Sequence, residues 1–114
     1  MELREIHETW DGFGRKDPLW AILSSPGTEG NNWDPDDFFK TGVEQVNGLR
    51  EHGADFGFRM SGGRAMDFGC GAGRLTQALA DHFDHSVGVD ISEAMVELAR
   101  KHNKYGDRVE YRIN

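Results

Sequence analysis

Apolar residues fall into two rhythms along the chain, and the change comes near residue 60. In the first stretch they recur every third or fourth position. Leu3, Ile6, Trp10 and Phe13 predict an opening amphipathic helix, because that interval returns side chains to one face at 3.6 residues per turn. "DPLWAILSSPG" predicts a second, short helix: Asp17 stands at the N-cap, Pro18 at the first helical position where its missing N–H costs nothing, and Pro26 with Gly27 stops it. The same punctuation returns in "WDPDDFFKTGVEQVNGLREHG". There Asp34 caps, Pro35 starts, Phe39, Val43 and Val46 share one face, and Gly53 ends the helix. The intervening "PGTEGNNW" reads as a turn-rich loop. Trp33, Phe38 and Phe39 suit helix packing, with a lid over a ligand as the other use for them.

The second stretch replaces this with short apolar runs bounded by turn signals. "RAMDF" (64–68) and "HSVGVD" (85–90) predict buried parallel strands, and "RVEYRI" (108–113), with its alternation, a third strand closer to an edge. Leu75, Ala78, Leu79 and Phe83 trace a helical stripe between the first two. Ile91, Ala94, Met95, Leu98 and Ala99 trace another between the second and third. The order is βαβαβ, which closes with right-handed crossovers into a parallel sheet and leaves a crevice at the carboxyl ends of its strands.

Composition narrows the picture. With 114 residues, 37% hydrophobic and 29% charged, the chain suits one globular domain with one core. Its net charge of −7 argues against binding along a nucleic-acid backbone, whose footprint is a basic face. No apolar run approaches the ~20 residues of a membrane span, and the first residues lack the apolar stretch of a secretory signal, so a cytoplasmic setting is expected. Cys70 is the only cysteine, which excludes an intramolecular disulfide and a zinc site built on paired cysteines. His82 and His85 straddle a predicted helix end and read as surface residues; no metal is expected.

Candidate chemistry concentrates in "MDFGCGAGR" (66–74), with three glycines in five positions where the first strand turns into the first crossover helix. Glycine costs about 0.5–1 kcal/mol relative to alanine in regular structure, so such a cluster predicts space kept clear for a ligand. A dinucleotide site asks for G-x-G-x-x-G. Here Gly69, Gly71 and Gly73 form G-x-G-x-G, and the last position of the dinucleotide pattern is Arg74.

"DFGCGAG", followed about twenty residues later by "GVDIS", resembles the class I S-adenosylmethionine-dependent methyltransferases over residues 64–114. The upstream "DPLWAILS…W…FFKTG" is similar, less specifically, to the helical leader some members carry. The resemblance implies an α/β, Rossmann-like parallel sheet with flanking helices behind an N-terminal helical segment. It divides the chain into a helical leader or lid (1–60) and the first half of a cofactor-binding domain (61–114). The family's sheet has seven strands and this sequence stops at Asn114, after the third, so an N-terminal cofactor-binding portion that does not catalyse alone is expected.

Carried over by residue, the resemblance implies that Asp67 reads the cofactor's ammonium, that Gly69, Cys70, Gly71 and Gly73 pass against its methionine and ribose, and that Asp90 takes both ribose hydroxyls. A carboxylate suits a vicinal diol, since it accepts two charge-assisted hydrogen bonds. The alternative for Asp90 is a helix N-terminal charge, a role Ser92 can cap without. Ile91 is placed for an adenine face or for the core, Arg74 for the cofactor carboxylate or for solvent. Cys70 reads as a small side chain in a crowded turn rather than a nucleophile.

No general base stands out, and His7, His52 and His102 read as surface. The expected partner is a small-molecule methyl acceptor. A non-catalytic nucleoside-binding module and a nicotinamide dehydrogenase are the other readings, the last disfavoured by Arg74. Finally, the family's strand order is three, two, one, four. Strand one therefore becomes an edge that pairs with another chain, unless the N-terminal helices fold back over it.

Overall fold

The computed structural model describes residues 2–114. The chain runs α1 (Leu3–Lys16), α2 (Pro18–Ile22), α3 (Pro35–Asp55), β1 (Arg64–Phe68), α4 (Arg74–Leu79), β2 (His85–Asp90), α5 (Glu93–His102), a 3-10 turn (Gly106–Arg108) and β3 (Val109–Ile113). The strands form one parallel sheet in the order β1-β2-β3, with Met66 beside Val87 and Val87 beside Glu110. Parallel neighbours require crossovers, which α4 and α5 supply. The α/β, Rossmann-like architecture is the one the alternating second stretch predicts.

Side-chain size explains how closely the crossovers lie on the sheet. Ala80, just after α4, and Val96 and Ala99 from α5 form one buried cluster with Cys70, Val109 and Tyr111. At the start of α5 the Ser92 hydroxyl accepts from the Met95 N–H at 3.1 Å, and Arg100, Lys101 and His102 occupy the last turn, where positive charge suits the dipole.

The N-terminal helices depart from their predicted details in three places. Asp34 does cap α3, accepting from the amides of Asp36 and Asp37, but the buried face is Phe38, Gly42 and Val46. Val43 is 36% exposed. Gly42 causes this rotation: a side chain there would run into the Arg74 carbonyl, so α3 and α4 approach through it. The helix also continues past Gly53 to Asp55, and Gly57, at φ +81°, carries the left-handed residue that follows. Third, Asp17 stands at the N-cap of α2 ahead of Pro18 as expected, but its side chain caps no amide of that helix. Its Oδ2 accepts instead from the Gly30 N–H at 2.7 Å, tying the loop back, while Trp33 Nε1 donates to the Leu23 carbonyl at 2.8 Å. Trp33, Phe38 and Phe39 stack edge to face in series, the packing role expected of them.

Helix α3 packs on α4 and α1 on α5, which leaves the outer side of β1 open. The Gly63 carbonyl and the Gly69 amide both bond to β2. In a parallel pair this phase turns the backbone of Arg64, Met66 and Phe68 away from β2. The side chains of the last two, 64% and 74% exposed, lie on the face opposite the crossover helices.

Candidate functional site

Three left-handed glycines shape the turn between β1 and α4: Gly69 at φ +75°, Gly71 at +53° and Gly73 at +87°. The amides of Gly69 and Cys70 both donate to the Val89 carbonyl, at 2.7 and 3.0 Å. The Gly71 N–H donates to Asp90 Oδ2 at 2.9 Å, and the Ser92 N–H to Asp90 Oδ1, also at 2.9 Å. Asp90 thus links the glycine turn to the start of α5, which realises the helix N-terminal role weighed for it. The lone pairs left over remain free for a ligand's donors.

These groups border a cavity of ≈ 460 Å³ at the carboxyl ends of the strands. Gly69, Cys70, Gly71, Asp90 and Ile91 form its inner wall, and Ile6 and Trp10 of α1 with Ile22 of α2 form the outer one. The outer wall is held by Asp11. Its Oδ1 accepts from the Ser92 hydroxyl at 3.2 Å and from the Ala94 N–H at 3.0 Å, so α1 caps a helix that begins some eighty positions later. The Ala94 amide in particular holds the Asp11 carboxyl below the usual carboxylate range, with Arg15 and Ser92 assisting. Gly14 completes the contact, since a Cβ there would lie 2.9 Å from that of Ala94.

What the glycines make room for differs from the expectation of a ligand throughout. A Cβ on Gly69 would meet nothing within 4 Å, so this glycine borders open space. One on Gly71 would lie 2.8 Å from Ile22 Cδ1, and one on Gly73 would run into the Tyr111 phenol. Two of the three glycines therefore admit protein side chains. Gly73 also serves as the N-cap of α4 and lies outside the cavity wall.

Arg74 is half-buried and lies outside the cavity wall. Its guanidinium donates to Thr41 Oγ1 at 3.3 Å and to Gln45 Oε1 at 2.8 Å, both on α3, because Gly42 brings that helix over the first turn of α4. Asp67 lies half-buried beneath the turn and accepts from Thr76 Oγ1 at 2.7 Å. Burial raises its carboxyl above the usual range, opposed by the Thr76 hydrogen bond and the charge of Arg74. Cys70 is buried and its thiol is pushed up to about 12 by desolvation, with Asp90 and Asp67 adding to the effect. A thiol so rarely ionised is packing, not a nucleophile.

Among the described residues there is no cluster of potential metal ligands. His82 meets Asn47 Oδ1 at 3.1 Å and His85 lies 3.7 Å from Glu110. His7, His52 and His102 are all absent from the cavity wall. The residues that sequence reasoning missed are Asp11, Ile22, Thr76 and Gly88. An acid four positions before the arginine–lysine end of a helix carries no local sign that it reaches another helix.

Comparison with known proteins gives the site its context. Residues 65–114 match the family model described as "methyltransferase domain". A ubiquinone biosynthesis O-methyltransferase of Marinobacter nauticus is 37% identical over 81 residues, 70% of this chain and 34% of that protein. The Methylococcus capsulatus protein of the same name is 40% identical over 81 residues, with the same coverage. The chain thus spans about a third of the length of the curated relatives it matches. In fold it is similar to a Haemonchus contortus phosphoethanolamine N-methyltransferase solved with phosphoethanolamine and S-adenosylhomocysteine (TM-score 0.68, 18% identity, 97% of this chain and 21% of that one). It is likewise similar to a Synechocystis magnesium protoporphyrin IX methyltransferase with bound S-adenosylhomocysteine (TM-score 0.62, 21% identity, 99% and 51%). With the glycine turn, the acid closing β2 and this βαβαβ order in agreement, residues 65–114 form a methyltransferase domain of the class I, S-adenosylmethionine-dependent type.

Proposed function

We propose that the chain forms the cofactor-binding part of a methyltransferase acting on a small-molecule acceptor, with residues 1–60 as leader and lid and 61–114 as the cofactor domain. The observation that carries this reading is the hydrogen bond from Gly71 to Asp90, which brings the glycine turn and the acid to one rim of the same cavity. The donor set suits S-adenosylmethionine. Asp90 keeps lone pairs for a ribose diol, Ile91 and Trp10 offer apolar surface for a ring, and Asp67, beneath the turn and behind the cavity wall, is a half-buried carboxylate with no cation at ion-pair distance among the described residues. In this reading Gly69, Cys70 and Gly71 line the cofactor's path, Gly73 shapes the turn, and Arg74 anchors α3 instead of the cofactor. An acidic chain with one cysteine supports a cytoplasmic setting.

When bound, the cofactor supplies an electrophilic methyl carbon; the chain's task is alignment and exclusion of water, together worth ~7–11 kcal/mol in favourable cases. Trp10 and Ile6, held by the Asp11 clasp, close the outer side of the cavity. Calorimetry with S-adenosylhomocysteine beside NADH tests the assignment. Binding of the first with none of the second is expected, and Asp90→Ala should weaken it by ~1.5–3 kcal/mol per lost charged hydrogen bond. Binding of NADH alone would overturn the reading.

The open edge of β1 supports a second proposal, pairing with the same strand of another copy. Antiparallel pairing centred on Met66 sets the outward backbone of Arg64 against that of Phe68, and Met66 against its own counterpart, so every outward amide finds a carbonyl. Sedimentation at several concentrations should show a dimer that Met66→Lys dissociates; a wild-type monomer throughout would refute it.

A further inference from the structure

Thr76 has no exposed surface, and its hydroxyl makes the one side-chain hydrogen bond that Asp67 receives among the described residues, at 2.7 Å to Oδ2. The arrangement around it is tight on every side. On β2, Gly88 presents no side chain to it; a Cβ there would come within 2.8 Å of Thr76 Oγ1 and within 2.9 Å of Cys70 Cβ. The Ser86 hydroxyl donates to the Thr76 carbonyl at 2.9 Å, which fixes that turn of α4 on the sheet. A β-branched side chain in a helix has little rotamer freedom of its own. The hydroxyl is thus aimed by packing, and its donor is spent on Asp67.

We propose that Thr76 is a positioning residue for ligand recognition: its hydroxyl fixes the Asp67 carboxylate and holds it ionised, with Oδ1 left to a cationic group of the ligand. This rests on the reading of Asp67 as the acid that meets the cofactor's ammonium. Four groups besides Thr76 face that carboxylate. Arg74 on α4 favours the charged form and Asp90 on β2 opposes it, while the Cys70 thiol in the turn and the Tyr111 phenol on β3 stay neutral, both with raised pKa values. No cation lies within ion-pair distance of Asp67 among the described residues. A half-buried carboxylate in these surroundings tends to take up a proton. A charged hydrogen bond is the counterweight that lets it wait unprotonated for a cation.

The test follows the Asp67 side-chain carboxyl by NMR through a pH titration of the full chain, with S-adenosylhomocysteine affinity measured by calorimetry over the same range. Thr76→Val should raise the Asp67 midpoint by about one unit, the shift expected for loss of one charged hydrogen bond. At the wild-type midpoint it should weaken the ligand about fivefold, the ratio of ionised fractions for a one-unit shift, and Thr76→Ser should restore both. If Thr76→Val does not fold, Thr76→Cys, isosteric with serine but a poor donor, should show the same raised midpoint. An Asp67 midpoint unmoved by loss of the hydroxyl, or not restored by serine, overturns the proposal. A wild-type chain that titrates as described but does not bind S-adenosylhomocysteine overturns the ligand reading instead, and with it the recognition role of Thr76.

Discussion

Helix α1 has 14 residues and buries none, whereas α4 has 6 and buries Thr76, Gln77 and Ala78. The short helix is held by what surrounds it: α3 on one side, the sheet on the other, and a glycine at each close approach. The long one is held at a few points, by Asp11 on the α5 N-terminus and by Gly14 against Ala94. Its apolar stripe stays largely exposed, with Leu3 at 73%. Length and amphipathic pattern therefore say little about how firmly a helix is attached; the contacts made by its polar residues decide it. In this chain the outer wall of the cavity is the region with the sparser attachment, as the proposed lid role requires.

All three tryptophans lie before residue 34, so their fluorescence follows the N-terminal helices while circular dichroism follows the whole chain. The largest expected effect comes from Phe38→Ala. Truncating this fully buried ring, which packs α3 to its neighbours, should cost ~3–5 kcal/mol and lower both signals' urea midpoints. Gly73→Ala attacks the other region. Its Cβ would run into Tyr111 from a left-handed backbone, at a cost of ~2–4 kcal/mol, and dichroism should register the loss fully.

Asp11→Ala removes the hydrogen bonds from Ser92 and Ala94 that tie α1 to the start of α5 and should cost ~1–2 kcal/mol, separating the fluorescence midpoint from the dichroism midpoint and speeding amide exchange in α1. The pH dependence sharpens this. Because the folded-state pKa of Asp11 is depressed, its contribution is complete above the ordinary carboxylate value and is lost as pH falls through the folded one. The fluorescence midpoint should therefore drop in acid in the wild type by an increment that Asp11→Ala lacks. Asp67 has the opposite sign: its raised pKa makes stability fall as pH rises through that range. The smallest effect is at Tyr111, whose buried hydroxyl has no hydrogen-bond partner among the described residues. Tyr111→Phe should leave stability unchanged or raise it by up to ~1 kcal/mol, measured by the urea midpoint.

The βαβαβ order, its strands and the caps at Asp34 and Ser92 were legible because each rests on neighbours in sequence: an apolar run, a turn residue, a side chain three positions from an amide. The glycine turn was legible as a place, but not in what each glycine admits. Ile22 and Tyr111 reach Gly71 and Gly73 from elements distant in the chain, and no periodicity encodes that. Val43 went astray for a related reason. The stripe Phe39–Val43–Val46 is the more hydrophobic one, yet Gly42 lets α4 come closer on the adjacent face, and proximity won over side-chain area. Asp11 was illegible in kind, because a charged residue on a helix reads as solvated until the partner it was folded against is known; the same ignorance of distant partners hid the bonds of Arg74 to α3 and of Asp17 to Gly30.

Asp90 enters any encounter already committed. One oxygen is held by the Gly71 amide and the other by that of Ser92, so the carboxylate plane is fixed when the chain folds and cannot swivel afterwards. An acceptor with a free rotamer tolerates variation in its guest by turning toward whichever donor is offered. A fixed one has no such recourse, and a guest lacking a hydroxyl leaves an unpaired oxygen at the rim. On the ribose reading, selectivity for an intact sugar is thus written into the backbone of the turn and of the start of α5, and changes in the cavity wall other than at Asp90 and Gly71 would not relax it.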